Sequence, residues 1–159
     1  MNKLDDRDLK ILRVLQKDGR IPKNQLATQV NLSPTACWER LKRLEEIGII
    51  EGYGARLCLT KLGPTATIFM QVELSSHRAE DFDRFEQAVQ EIDEVADCWA
   101  VGGGVDYFLK LVCASVDDYQ RTVDDMLEAD IGLRRYYTYV VTKPVKSGSA
   151  NPFSIFGAS

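Results

Sequence analysis

Two periodicities divide the chain. From residue 5 to about residue 47, apolar positions recur at the three-to-four spacing of amphipathic helices. Leu9, Ile11, Leu12 and Leu15 form one stripe, with Asp5 and Asp8 in its first turn and Gly19 at its end. Carboxylates there suit the helix dipole. Pro22 opens a short second helix, Asn24 to Val30, with Leu26, Ala27 and Val30 inward. Ser33, a favoured N-cap, precedes Pro34, which suits the first helical position because no N–H is missed there. A third helix therefore runs from Ser33 to Ile47 and stops at Gly48, with Cys37, Leu41 and Leu44 on one face. Asn31, between the second and third helices, tolerates the left-handed turn conformation. Residues 49–57 mix β-formers with glycines and predict a short hairpin, or wing.

After residue 66 the period changes. Ile68, Met70, Val72 and Leu74 alternate as in a half-buried strand. Phe82, Phe85, Ala88 and Val89 then repeat at helical spacing. Val95 to Val101 reads as a second strand, Gly102-Gly103-Gly104 as a turn, and Tyr107 to Cys113 as a third strand. Tyr119, Val123, Met126 and Leu127 make another helix, and Tyr136 to Val141 a fourth strand. The order βαββαβ is the ferredoxin-like split unit, which packs its helices on one sheet face and leaves the other open. Ile68, Met70, Trp99, Phe108 and Val140 are assigned to that open face, which would be too apolar for solvent. A second copy of the chain would cover it.

Charge separates the two halves. Residues 1–63 carry 12 Lys/Arg against 8 Asp/Glu, and residues 64–159 carry 8 against 16. The net charge of −4 thus hides a basic head on an acidic body, as expected of a DNA-binding domain joined to one that is not. No apolar run approaches the ~18 residues of a membrane span, and the first residues lack a signal core, so the expected location is cytoplasmic. Cys37, Cys58, Cys98 and Cys113 show no metal-ligand spacing and read as small core residues, with redox sensing as the alternative. The single histidine, His77, reads as a surface loop residue and cannot build a metal site alone. Neither a metal nor a cofactor is implied.

Two helices joined by a tight turn, the second basic and outward-facing, read as helix-turn-helix. On that reading the partner is double-stranded DNA, with the third helix in the major groove. Thr35, Ala36, Glu39, Arg40 and Arg43 are the candidates to reach it. Arg40 can bond guanine through two acceptors, and Glu39 can accept from cytosine. Ser33 and Thr35 alternatively hold phosphates at the helix N-terminus. Lys23 and Lys42 are backbone contacts, which position rather than specify. Against this stands the bland reading of a solvated helix face with Arg43 near Glu39. Trp38 lies off both main faces and either packs against the wing or meets bases.

Several motifs in order carry a family resemblance. They are Leu4-Asp5 with Asp8 and Ile11-Leu12; Asp18-Gly19-Arg20-Ile21; Leu32-Ser33-Pro34-Thr35; Arg40 to Glu45; Gly48-Ile49-Ile50; and Gly103-Gly104-Val105-Asp106-Tyr107. Over about residues 4–146 the chain resembles the Lrp/AsnC (leucine-responsive) transcription regulators. The resemblance implies an α+β chain. A winged helix-turn-helix DNA-binding domain (1–52) precedes a linker strand or hinge (53–65), a ferredoxin-like ligand-binding and oligomerisation domain (66–146) and a tail (147–159). It further implies a nucleoid-associated homodimer assembling to an octamer, and control of amino-acid metabolism in response to a small amino-acid effector. Two positions depart from the family pattern. Pro22 replaces a Ser or Thr cap, a loss of about 1 kcal/mol, and Ala36 replaces a second proline.

The effector turn has two readings of its own. A glycine run permits close approach, so Gly102, Gly103, Gly104, Val105, Asp106 and Tyr107 can receive a ligand, with Asp106 facing its ammonium. Alternatively Asp106 serves only the turn. Thr138 and Tyr139 are further candidates from across an interface. A ligand-independent architectural DNA-binding protein is the main competing function. An enzyme of the siroheme decarboxylase type, which resembles the same two-domain fold, is disfavoured because one histidine and no nucleophile–base pair are present, and no catalytic residue is assigned. In the tail, Phe153, Ile155 and Phe156 either dock on a neighbour or stay disordered.

Overall fold

The computed structural model describes residues 4–146 together with Gly148 and Phe153. It forms two compact units, one built on residues 4–56 with Gly148 and Phe153, the other on residues 57–146.

The first unit holds α1 (Asp6–Lys17), α2 (Lys23–Gln29) and α3 (Pro34–Glu46). Helices this short cannot persist alone. They bury Ile11, Leu26, Ala27, Val30, Cys37, Leu41 and Leu44 in one shared core. Asp5 lies just outside α1 as its cap: its Oδ1 accepts the Arg7 and Asp8 N–H groups at 2.9 Å, and its own N–H donates to Asp8 Oδ2 at 3.1 Å. This reciprocal pair satisfies orphan amides of the first turn. Pro22 caps α2 with no side-chain bond, as its chemistry dictates. Asn31 takes φ 55° in the turn, and Ser33 Oγ accepts the Ala36 N–H at 3.3 Å to start α3. Gly48, at φ 73°, ends it.

The segment expected as the wing hairpin takes another form. Residues 51–58 contain no strand, so neither the hairpin nor a linker strand is formed here. Ile49 and Ile50 donate their N–H groups to the Leu44 carbonyl, which turns the segment back onto α3 rather than into a ladder. Tyr53 then bonds Glu45 through its hydroxyl at 2.8 Å. Phe153 sits with its ring 5.0 Å from the Arg13 guanidinium. Ile155 and Phe156 lie outside the described residues.

The second unit begins with a single turn, α4 (Leu59–Leu62). It continues as β1 (Ala66–Leu74), α5 (Ala79–Gln90), β2 (Val95–Ala100), β3 (Tyr107–Cys113), α6 (Val116–Glu128) and β4 (Leu133–Val140). The sheet order is β2-β3-β1-β4, and every pairing is antiparallel. Ser115 Oγ accepts the Asp118 N–H at 3.0 Å to open α6. Both helices cover one face. Under them lie Ile68, Met70, Val72, Leu74, Leu109 and Leu111 with Phe85, Val123 and Met126.

This corrects the open face. Ile68 and Met70 are fully buried beneath the helices, and Val140, opposite Ile68 in the register, shares their side of the sheet. The open face is instead Phe69, Trp99, Phe108, Tyr137 and Tyr139, fixed by the pairs Phe69↔Tyr139 and Trp99↔Phe108. Side chains alternate along a strand, so residues of opposite parity cannot share a face. Cys37 and Cys113 are buried as expected, but Cys58 and Cys98 are exposed. Cys98, opposite Leu109 in the register, points to the helix side of edge strand β2, in an open groove beside Glu86 of α5.

Truncating Phe85, whose ring meets Tyr107 at 4.6 Å between centroids, is expected to cost about 3–5 kcal/mol through lost transfer energy and the cavity left behind. Urea unfolding followed by amide exchange across residues 66–140 would measure this for Phe85→Ala; a loss below 1 kcal/mol would contradict the packing described.

Candidate nucleic-acid interface and effector turn

The outward face of α3 carries Thr35, Glu39 and Lys42, all exposed, with Ala36 half-buried beside them. Ser33 is occupied as the cap. Lys42 lies 3.4 Å from Glu46, an exposed i,i+4 pair of small energetic weight.

Arg40 and Arg43 have a different setting from the one their charge suggests. Arg40 Nη1 donates to Asp5 Oδ2 at 2.7 Å and to Asp8 Oδ1 at 2.9 Å, and Arg43 Nη2 donates to Asp8 Oδ2 at 2.5 Å. Asp8 is 1% exposed. Asp5–Asp8 at the start of α1 and Arg40–Arg43 on α3 share the same three-residue offset, so each pair presents one face to the other. That double offset was the available signal, and reading Asp5 and Asp8 only against the helix dipole missed it. The Asp8 N–H and then the Arg40 guanidinium hold the Asp5 carboxyl down at about 2. The Arg40 guanidinium is shifted upward chiefly by its bond to Asp5 and next by that to Asp8.

Trp38 keeps one ring face for Lys23. It is 42% exposed, and the Lys23 ammonium stands 3.3 Å from its ring centroid. Lys23 thereby joins α2 to α3.

In the second unit, the exposed turn of Gly102, Gly103 and Gly104 precedes half-buried Val105 and Asp106. Gly103, at φ 154°, sits where a side chain is strained, while a Cβ at any of the three would meet open space. Asp106 is already engaged. Its Oδ2 accepts the Leu74 N–H at 2.7 Å, and His77 Nε2 lies 3.0 Å from Oδ1. Its backbone donates to Val72 O and accepts from Val101 N, both at 2.9 Å. His77 is an exposed loop residue, as anticipated, but its imidazole also stacks on Phe82. Tyr107 is buried and donates its hydroxyl to Glu86 at 2.7 Å; burial first, and that bond next, push its phenol upward. Thr138 faces the helices, 2.5 Å from the Tyr119 hydroxyl, whereas Tyr139 stands on the open face. These two neighbours therefore cannot serve one ligand from the same side of β4. Among the described residues, no group of three His, Cys, Asp or Glu side chains could hold a metal ion, and no helix is long and apolar enough to cross a membrane.

A helix-turn-helix head followed by a ferredoxin-like domain with a glycine-rich turn defines a two-domain DNA-binding regulator. Residues 4–51 match the winged helix-turn-helix DNA-binding family, and residues 67–150 match the Lrp/AsnC ligand binding domain. The chain is 52% identical over 149 residues to the transcriptional regulatory protein DoeX of Halomonas elongata, covering 94% of each. It is 38% identical to the leucine-responsive regulatory protein of Escherichia coli K12, over 92% of this chain and 89% of that one. A Neisseria meningitidis regulator solved with L-methionine superposes with a TM-score of 0.89 at 30% identity, over 97% of this chain and 99% of that one. The chain belongs to the Lrp/AsnC family of transcriptional regulators. These are regulators, not enzymes, and the tetrapyrrole decarboxylase reading falls away.

Two expectations follow from the ion-pair cluster. Asp8→Ala is expected to destabilise the head by about 1–3 kcal/mol, short of a deeply buried pair because both arginines keep some solvent. The Asp5 carboxyl titrates lower in the folded chain than its ordinary 3.8, so its contribution is complete above about pH 4 and lost as pH falls toward 2. Thermal melts between pH 4 and pH 2 should therefore show a shallower decline for Asp5→Asn than for the unaltered protein; parallel declines would remove Asp5 from the account.

Proposed function

We propose that this regulator binds specific DNA sites through α3 and the start of α2, and that a small amino acid tunes that binding at the turn 102–106. DNA contact by Ser33, Thr35, Glu39, Lys42 and Lys23 rests on their exposure, and that by Ala36 on its place beside Thr35 and Glu39. Arg40 and Arg43 approach DNA with the donors that Asp5 and Asp8 leave over, which supports backbone contact over bidentate base reading for Arg40. The observation that carries the reading is the basic, Ser33-capped α3 locked to α1 by Asp8, which presents a fixed face to a groove. Residues 1–52 then act as the DNA-binding domain, 53–65 as the hinge, 66–146 as the effector and oligomerisation domain and 147–159 as the tail.

Amino-acid specificity is supported by relatives solved with L-methionine and by relatives named for leucine response. A ligand ammonium would take the place that His77 holds against Asp106, and the ligand carboxylate would meet backbone N–H groups of the turn, which can form an anion-binding concavity. The aromatic open face supports a homodimer and, through further contacts, an octamer. The protein would act on the nucleoid in the cytoplasm, with operons of amino-acid metabolism as its targets.

Calorimetry against the twenty amino acids, run beside gel shifts, tests the effector. Asp106→Asn keeps the shape and the acceptor for Leu74 but removes the charge. It is expected to weaken ligand binding at least about tenfold, as loss of one charge-assisted contact does, while DNA binding without ligand persists. No amino acid binding at millimolar concentration would leave the architectural reading, in which Asp106 serves the turn alone.

Light scattering is expected to show at least twice the 17.9 kDa of one chain at micromolar concentration. Replacing Trp99 and Tyr139 with Lys should shift that mass toward one chain; an unaltered mass would move the interface off the open face.

A further inference from the structure

We infer that Trp38 and Lys23 form one composite DNA contact, in which the indole face positions the ammonium for a backbone phosphate. The inference rests on the DNA-binding reading above and assigns Trp38 as a positioning residue for that contact.

Trp38 belongs to α3, one turn beyond Ser33, yet it lies on the flank of the buried stripe of Cys37, Leu41 and Leu44 and keeps 42% of its surface exposed. A tryptophan used for core packing would be sunk further, because large aromatics contribute mainly by burial. Lys23 is the first residue of α2, and its Nζ stands 3.3 Å from the indole centroid. The pair therefore bridges the two helices of the helix-turn-helix. In that motif the first helix crosses the DNA backbone and the second enters the groove, so the junction between their N-terminal halves faces a phosphate strand.

Charge decides between a structural and a binding role. Arg40, Arg43 and Lys42 each have a carboxylate within 3.4 Å. Lys23 has no carboxylate partner among the described residues. A ring quadrupole holds a cation without cancelling its charge. The indole thus restrains a long, flexible side chain and leaves its full positive charge for an anion. A carboxylate in the same place would have restrained it and neutralised it together.

Phosphate contact is sequence-independent, so the test uses the full chain and a mixed-sequence 40-base-pair duplex titrated across KCl concentrations. Lys23→Gln and Trp38→Leu are each expected to weaken binding about three- to tenfold at 100 mM salt and to lower the slope of log affinity against log salt by about one. The double variant should lose no more than either single one, and Trp38→Phe, which keeps a ring face, should recover part of the loss. In a Trp99→Phe background Trp38 is the only indole, since the chain has two tryptophans, and its emission should change on adding duplex. Thermal melts of each variant separate folding from binding. Trp38→Leu that melts lower but keeps the affinity and salt slope would overturn the inference and make Trp38 a packing residue. Additive losses in the double variant would also overturn it, since the two side chains would then act apart. Failure of the unaltered protein to bind any duplex would sink the DNA-binding reading itself.

Discussion

The head depends on one carboxylate that cannot be left alone. Asp8 is buried in the unit that carries the recognition helix, and an unpaired charge there would cost several kcal/mol. Its oxygens receive the Asp5 N–H, Arg40 and Arg43, so satisfying Asp8 requires α1 and α3 to meet in one arrangement. Apolar contact among Ile11, Leu41 and Leu44 supplies most of the driving force, but burial has no direction. Charge-assisted bonds do have direction. The angle at which Thr35, Glu39 and Lys42 face outward is therefore inherited from an ion-pair cluster on the adjoining flank of the same helix. The capping pair of Asp5 and Asp8 makes the same two acids start α1 and orient α3.

This use of arginine changes what the basic charge of the head means. A count of cations treats Arg40, Arg43 and Lys23 alike. Two of the three are spent within the fold, and their field is largely cancelled by adjacent carboxylates. Of these three, the one left for an anion is the lysine held on Trp38, which lies in the same helix pair as exposed Thr35 at the α3 N-terminus. Arginine suits the first task because its planar fork meets two carboxylates at once, and lysine suits the second as a compact point charge.

Much of this was legible in the sequence, and the failures share a cause. The helices, strands and βαββαβ order follow from periodicity alone, and the Ser33-Pro34 start and the Asn31 turn follow from local chemistry. Strand parity did not survive the step from pattern to face: Ile68 and Met70 alternate correctly yet were placed on the wrong side, because which parity faces the helices is settled by packing. The winged helix-turn-helix family is matched over residues 4–51, but the hairpin expected at 49–57 is absent because isoleucines and glycines signal β-propensity, whereas a ladder needs a partner strand that residues 51–58 lack in this chain. Arg40 looked free because its partners lie 32 and 35 residues earlier. Cys98 looked internal because an apolar run does not reveal that β2 is an edge strand. Each missed fact concerns who sits opposite, which local propensity does not encode.

The second unit uses a carboxylate in the same way, at the corner where its proposed effector would act. Asp106 holds the Leu74 N–H at the end of β1, and the next residue, Ser75, gives both its N–H and its hydroxyl to the Gly132 carbonyl, just before β4. Gly132 is in a positive-φ conformation, so β4 starts from a backbone that few other residues could adopt. The strand that begins there carries Tyr137 and Tyr139 on the open face. One short chain of hydrogen bonds thus runs from the glycine turn, across the end of β1, to the strand bearing the exposed aromatics. A ligand that displaces His77 from Asp106 meets the first link of that chain, and its leverage is bounded by its difference in affinity for the two arrangements it distinguishes. Because the Leu74 N–H and His77 both engage Asp106, the proposed site would be built on a satisfied turn rather than an empty charge. On the proposed reading, selectivity would come from a cation that bonds Asp106 better than His77 does and brings an anion to the neighbouring N–H groups, as an amino acid would with a single carbon between the two.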